Sequence, residues 1–228
     1  MKNKIINITA NSTNQQLIDL FPIKRAKDAY PNWFKRLKTP SNRDRSDANV
    51  KVCPGLTDLY NNSLIINSWQ DYEITVNSNG SVLIKCPNHE FSAVSHTIAS
   101  QAAGAWPNYV NVKLTSPWFL TSTDSTFWLM TAAIWSQSTP SQYVIVPGVL
   151  EFKIQNQTNI NLLFPILDHN KTYTIKAGDP LVTLTPMSSN AINLNLKYIT
   201  YDQLQKLTSR WNFSFSYTYH KIRSMIKG

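Results

Sequence analysis

Short alternations of apolar and polar residues recur along most of the chain, and they predict a protein built mainly of β-strands. The densest run is Tyr143 to Met187. Within it Tyr143 to Val146 reads as a strand ended by a Pro147-Gly148 turn, and Asn161 to Ile166 is a further apolar run. Tyr173 to Ile175 alternates up to the break Lys176-Ala177-Gly178-Asp179-Pro180, and Leu181 to Thr185 alternates again. β-Branched and aromatic residues between Gly, Pro, Asn and Asp breaks are the pattern of short antiparallel strands.

The same period marks Lys4 to Thr9, Leu64 to Ile66, Val110 to Thr115 and Ile192 to Leu196 as strands. Tyr72 to Val76 and Val82 to Cys86 flank Asn77-Ser78-Asn79-Gly80, a hairpin whose Asn-Gly pair supplies the positive φ angles of a tight turn. Pro117 to Leu120 and Phe127 to Met130, with Ala132 to Trp135, predict two buried strands paired across a turn at Thr121 to Ser125. Trp118, Trp128 and Trp135 then fall in the core. His89 to Pro107 lacks a clear period and is predicted as a long loop, with Trp106 placed there for an interface or a ligand.

Helices are few. Pro31 suits the first turn of a short helix, Asn32 to Leu37, and Cys53 to Tyr60 is another, ended by Asn61-Asn62. Thr200 with Gln203 three residues later is a capping box ahead of Leu204 and Leu207. Trp211 to Tyr219 alternates as a closing strand in competition with helix, and Lys221 to Lys227 is a basic tail. The organisation expected is an N-terminal strand region (1–21), a basic arm (22–51) and a β domain (52–228) that carries the C-terminal helix.

Charge changes this picture in one place. The chain has 228 residues, enough for one good core, with 22 Lys+Arg against 13 Asp+Glu for a net +9. Such a balance favours anionic partners. Only 15% of residues are charged, so much of the polar surface is Asn, Gln, Ser and Thr, which suits a large assembly as well as a free enzyme. The cations concentrate in the arm: Lys24, Arg25, Lys27, Lys35, Arg36, Lys38, Arg43 and Arg45 are the candidate contacts to an anionic partner. Tyr30, Trp33 and Phe34 are interleaved with them, and cations with stacking rings form one route to single-stranded nucleic acid. The competing reading, preferred for the rings, plugs Trp33 and Phe34 into the β domain.

Candidate chemistry is thin. Cys53 and Cys86 both precede proline and read as free buried thiols. Cys86-x-x-His89 has a spacing that zinc tolerates, but Cys53 and His96 would complete it without a short-spaced motif, so no metal site is assigned. His89, His96, His169 and His220 lie in no catalytic signature, and Asp168-His169-Asn170 reads as a turn between strands. With 6 glycines there is no phosphate-cradling loop. No catalytic residue and no cofactor are assigned. The N-terminal apolar run is too short for a signal peptide, and no stretch approaches the ~20 apolar residues of a membrane helix.

Two resemblances follow. Pro147-Gly148-Val149-Leu150-Glu151, then a strand, then Ile175-Lys176-Ala177-Gly178-Asp179-Pro180-Leu181 resemble the second half of the dUTPase and dCTP-deaminase family. That likeness implies a β-clip fold over residues 146–187. The catalytic aspartate of the family corresponds to Glu151, the uracil-stacking tyrosine falls near Ile154, and the phosphate-binding motif and glycine-rich closing motif have no match. It therefore argues against the family's hydrolase activity. Across most of its length the chain also resembles an uncharacterised tailed-bacteriophage family, through Pro31 to Lys35, Lys51 to Asp58, Pro147 to Val149 and Gly178 to Leu181.

The resulting expectation is a single mainly-β domain, β-clip or jelly-roll-like, with a basic N-terminal arm and a C-terminal helix. Its expected role is that of a non-enzymatic phage protein that acts by binding, as a virion structural or assembly component. It would be made in the bacterial host cytoplasm, with other phage proteins or its own copies as partners and no membrane. One alternative is a nucleotide-binding or nucleotide-sequestering β-clip protein using Glu151 and Gln155. Another is a single-stranded nucleic-acid binder working through the arm.

Overall fold

The computed structural model describes residues 5–39, 49–96, 105–137 and 141–208. The N-terminal alternation becomes β1 (Ile5–Ser12), which buries Ile6, Ile8 and Ala10 on one face. β1 is the middle of a three-stranded sheet. It pairs in parallel with β15 (Ala191–Tyr198) and antiparallel with β8 (Phe119–Ser122). A second sheet has the order β10 (Val144–Ile145), β12 (Ile160–Pro165), β7 (Tyr109–Leu114), β6 (Ala93–His96). A third runs β11 (Gly148–Glu151), β9 (Phe127–Ala132), β14 (Pro180–Pro186), β3 (Leu64–Asn67), β2 (Lys24–Arg25). A fourth is β13 (Lys171–Ile175), β4 (Tyr72–Val76), β5 (Val82–Lys85).

One apolar core joins the four sheets. Ile8 of β1, Val112 of β7, Leu184 of β14 and Ile74 of β4 belong to the same buried cluster. Each such side chain contributes roughly 1.5–3 kcal/mol by leaving water. Trp118 and Trp128 are fully buried in it. The chain is thus a single mainly-β domain. Among the described residues its α-helices are α1 (Gln15–Leu20), α2 (Asn32–Arg36), α3 (Pro54–Asn61) and, at the C-terminal side, α4 (Tyr201–Thr208).

Turn chemistry explains two connections. In the β4–β5 hairpin Val76 pairs with Val82, so the loop spans Asn77 to Ser81. Gly80 N–H donates to Asn77 O (2.9 Å) and Asn77 N–H to Ser81 O (2.9 Å). Only Gly80 takes a positive φ (81°); Asn79 does not, so this is a type I turn closed by a glycine bulge and not a two-residue Asn-Gly turn. Between β13 and β14, Asp179 N–H donates to Lys176 O (3.0 Å) with Gly178 at φ 89°, the type II pattern. Asp71 fastens that turn, accepting from Ala177 N–H and Lys176 Nζ at 2.8 and 2.9 Å.

Four expectations are corrected. Phe119–Ser122 and Phe127–Ala132 do not pair with each other. β8 joins β1, while β9 lies between β11 and β14. The Asn11 amide draws β8 to β1 by donating to Phe119 O (2.8 Å) and Thr121 Oγ1 (3.3 Å). Ala93–His96 is an edge strand paired with β7 and not part of a loop; residues 97–104 lie outside those described. Trp135 sits in a 3-10 turn, Ile134–Ser136, and is 44% exposed, because β9 ends at Ala132, three residues before it. Cys53 is exposed and Cys86 half-buried, since both stand at element ends and not in the core.

Candidate interaction site

The basic segment lies along the body over its described part. Lys24 and Arg25 form β2 and pair with Ile65 and Leu64 of β3. Ala26 N–H donates to Ser63 O at 2.8 Å. α2 follows with Pro31 as its N-cap residue, and it turns Phe34 inward. Phe34 stacks on Tyr30 with centroids 4.4 Å apart and planes within 7°, and Tyr30 in turn lies 4.4 Å from Tyr60 of α3. Ala26, Phe34, Leu56, Tyr60 and Ile65 make a second apolar cluster. This explains why Leu64, Ile65 and Ile66 are all buried: β3 is covered on both faces, by the main core on one and by this cluster on the other.

Polar contacts finish the module. Lys51 Nζ donates to the carbonyls of Leu37 and Lys35 at the C-terminal end of α2 and stands 5.9 Å from the Phe34 ring centre. A cation there meets the partial negative charge of the helix end. Asn49 Nδ2 donates to Lys38 O (2.9 Å). Tyr60 and Ser136 hydroxyls share a buried hydrogen bond of 3.0 Å that ties α3 to the Ile134–Ser136 turn. Burial raises the Tyr60 phenol above its ordinary pKa, partly offset by Ser136.

Outward, this module brings exposed rings and cations together. Trp33 is half-buried and meets Trp135 at 6.3 Å between ring centres and 43° between planes. Ile134 is 57% exposed beside it. Lys24, Lys27, Lys35, Arg36 and Lys38 are exposed, and Arg25 is half-buried. Asp28 is the one carboxylate between residues 22 and 39. The structure therefore brings six of the eight candidate cations into one module with Tyr30, Trp33 and Phe34; Arg43 and Arg45 lie outside the described residues. The rings follow the reading that placed Phe34 inside, while Trp33 stays partly open.

The sequence pattern did not point to Trp135 and Ile134. The available signal was the loss of alternation in Ala132-Ala133-Ile134-Trp135-Ser136-Gln137, which marks a strand end. Lys51 was also missed as a helix cap, because its target carbonyls lie 14 and 16 residues away.

Glu151 and Gln155 lie on one turn, where Gln155 N–H donates to Glu151 O at 2.8 Å. The Glu151 side chain is buried, 4% exposed, at the end of β11 opposite Phe127 of β9. Cys86 Sγ donates to Asn88 O (3.6 Å), and among the described residues no three His, Cys, Asp or Glu gather to hold a metal ion. The Asp168–His169 pair is an exposed 2.7 Å contact in the β12–β13 turn. Among the described residues no helix is long and apolar enough to cross a membrane. No family model matches the chain, and no curated protein matches it.

Proposed function

We propose that the protein acts by binding, as a structural or assembly component of a bacteriophage virion, with the Trp33–Trp135 face as its docking surface. The observation that carries this is Ile134 at 57% and Trp135 at 44% exposure, with Trp135 against Trp33 of the segment that carries the exposed cations. Aromatic anchors surrounded by a polar rim are the anatomy of contact sites between proteins. The partner surface is acidic, with an apolar pocket for the indole. The resemblance to the tailed-phage family supplies the assembly context. Mass spectrometry of purified particles of the encoding phage tests it. The chain is expected there at a fixed ratio to the major proteins, with cross-links from Lys27 or Lys35 to another virion protein. Particles that lack the chain would refute the proposal.

A second reading is favoured by the same indoles: single-stranded nucleic acid stacking on Trp135 with Lys35 and Arg36 on its phosphates. It requires an affinity that falls steeply as salt rises. Titration of a fluorescent oligonucleotide at two salt concentrations decides it, and salt-independent or absent binding removes it.

A further inference from the structure

Three alanines, Ala26, Ala132 and Ala133, are among the residues that line a notch of about 20 Å³ between α3 and the Ile134–Ser136 turn. A methyl group at each of these places leaves space that longer side chains would fill. α3 contributes Leu59 and Tyr60 to the notch. Leu59 is half-buried and Ile134 and Trp135 are exposed, so the notch opens on the same face as the Trp33–Trp135 contact.

The walls are fixed in advance. Ala133 N–H donates to Leu181 O (2.9 Å) and Ser136 N–H to Ala133 O (2.9 Å), which hold the turn against β14. The 3.0 Å bond between the Tyr60 and Ser136 hydroxyls holds α3 to the same turn. Because those two hydroxyls bond each other, the notch presents mainly carbon. A site formed before binding avoids the cost of ordering its walls.

We propose that this notch receives an aliphatic side chain of the partner, a valine, leucine or isoleucine flanked by carboxylates. The proposal rests on the reading of the Trp33–Trp135 face as a docking surface. Size selects the side chain. A water-sized group needs roughly 10–15 Å³ of such space, so the notch takes the tip of a branched aliphatic chain and is too small for a ring. Charge selects the flanks. Lys27 follows Ala26 in the 3-10 turn Ala26–Asp28, and Lys35 and Arg36 share α2 with Trp33, whose ring meets Trp135. With Lys24 and Lys38 these cations are exposed, against the exposed carboxylates of Asp28 and Asp58. Opposite charge across a contact steers the encounter and fixes its register.

Two experiments on the full-length chain test this. The first titrates it with the peptides Asp-Glu-Xaa-Glu-Asp, where Xaa is Ala, Leu or Phe, and follows the side-chain NMR signals of Leu59, Ile134 and Trp135. The leucine peptide is expected to move them and to bind at least about tenfold more tightly than the other two. Ala133→Val fills the notch and is expected to remove that preference. Leu59→Ala widens it and is expected to turn the preference toward the phenylalanine peptide, so a second variant stands if the first fails to fold. Equal affinity of the alanine and leucine peptides, no binding of the leucine peptide, or a leucine preference that survives in both variants would overturn the notch.

The second experiment sets Ala133→Val and, separately, Trp135→Ala against the unaltered chain for incorporation into phage particles. Both variants are expected to be under-represented. Exclusion of Trp135→Ala with equal incorporation of Ala133→Val overturns the notch and leaves the docking face standing. Equal incorporation of both overturns the docking face, and the notch with it.

Discussion

Gly80 and Gly178 both hold positive φ angles, 81° and 89°, yet they differ in what surrounds them. A Cβ at Gly80 would sit 3.2 Å from Ile166 Cδ1, whereas at Gly178 the nearest atom is Phe21 Cε1 at 3.8 Å. Left-handed backbone costs an alanine on the order of 1 kcal/mol at either site. Gly178→Ala is therefore expected to cost about that much, and Gly80→Ala more, because Ile166 must also give way. Urea midpoints of the two variants measure the order, and a costlier Gly178→Ala would contradict it. Asp71 offers a test in pH. The Ala177 N–H, then Lys176, hold its carboxyl below the ordinary aspartate range. A lowered folded pKa contributes stability above the unfolded value near 3.9 and loses it as pH falls through the folded value. The stability difference between the protein and Asp71→Asn is thus expected to be present at pH 7 and to vanish in strong acid. A difference that is flat with pH would place the effect in packing and not in charge. Tyrosines work at the other end. Burial, then Asp179, pushes Tyr143 up to about 12, and burial raises Tyr72, whose hydroxyl donates to Phe91 O at 2.7 Å. The unfolded chain ionises first, so stability falls above about pH 10. Phe at position 72 is expected to blunt that alkaline loss, read as the shift in melting temperature between pH 9 and 11.

Elements divide by how many of their faces are buried. β1, β4, β13 and β15 bury alternate positions, so a period of two in the sequence was enough to find them. The capping box was equally legible, because its chemistry is local. Thr200 N–H donates to Gln203 Oε1 (3.0 Å) and Gln203 N–H to Thr200 Oγ1 (3.3 Å). Thr200→Ala is expected to cost about 1 kcal/mol, and faster amide exchange confined to 201–208 checks it. The partners of β8 and β9 were not legible. Trp118, Leu120, Trp128 and Met130 are all buried, and apolar strands in a row carry no mark of which edge they will take. The contact that fastens β8 to β1 comes from Asn11, more than 100 residues away. β6 was lost for the opposite reason: Ala93-Val94-Ser95-His96 is a short strand that, among the described residues, pairs on one side only, and its pattern is weak. The Trp135 face was invisible because exposure is a tertiary property. The sequence ranked Trp135 with Trp118 and Trp128, and only the 3-10 turn after Ala133 points it outward.

At the scale of the whole molecule the basic segment changes meaning. Packed by Phe34 and Tyr60 and paired through β2, its described part is a cover for the third sheet that doubles as a charged face. Folding and binding use different side chains of the same module, which separates their effects. Phe34→Ala removes a buried ring and is expected to destabilise by about 3–5 kcal/mol. Trp135→Ala removes a half-exposed one and is expected to leave the melting temperature close to unchanged while it weakens partner binding. Incorporation tests the central claim most directly. Phage particles are assembled in cells that supply equal amounts of the unaltered chain and Trp135→Ala, and the ratio of the two in purified particles is measured by mass spectrometry. The account gives a ratio strongly in favour of the unaltered chain. Equal incorporation, or no incorporation of either, would contradict it.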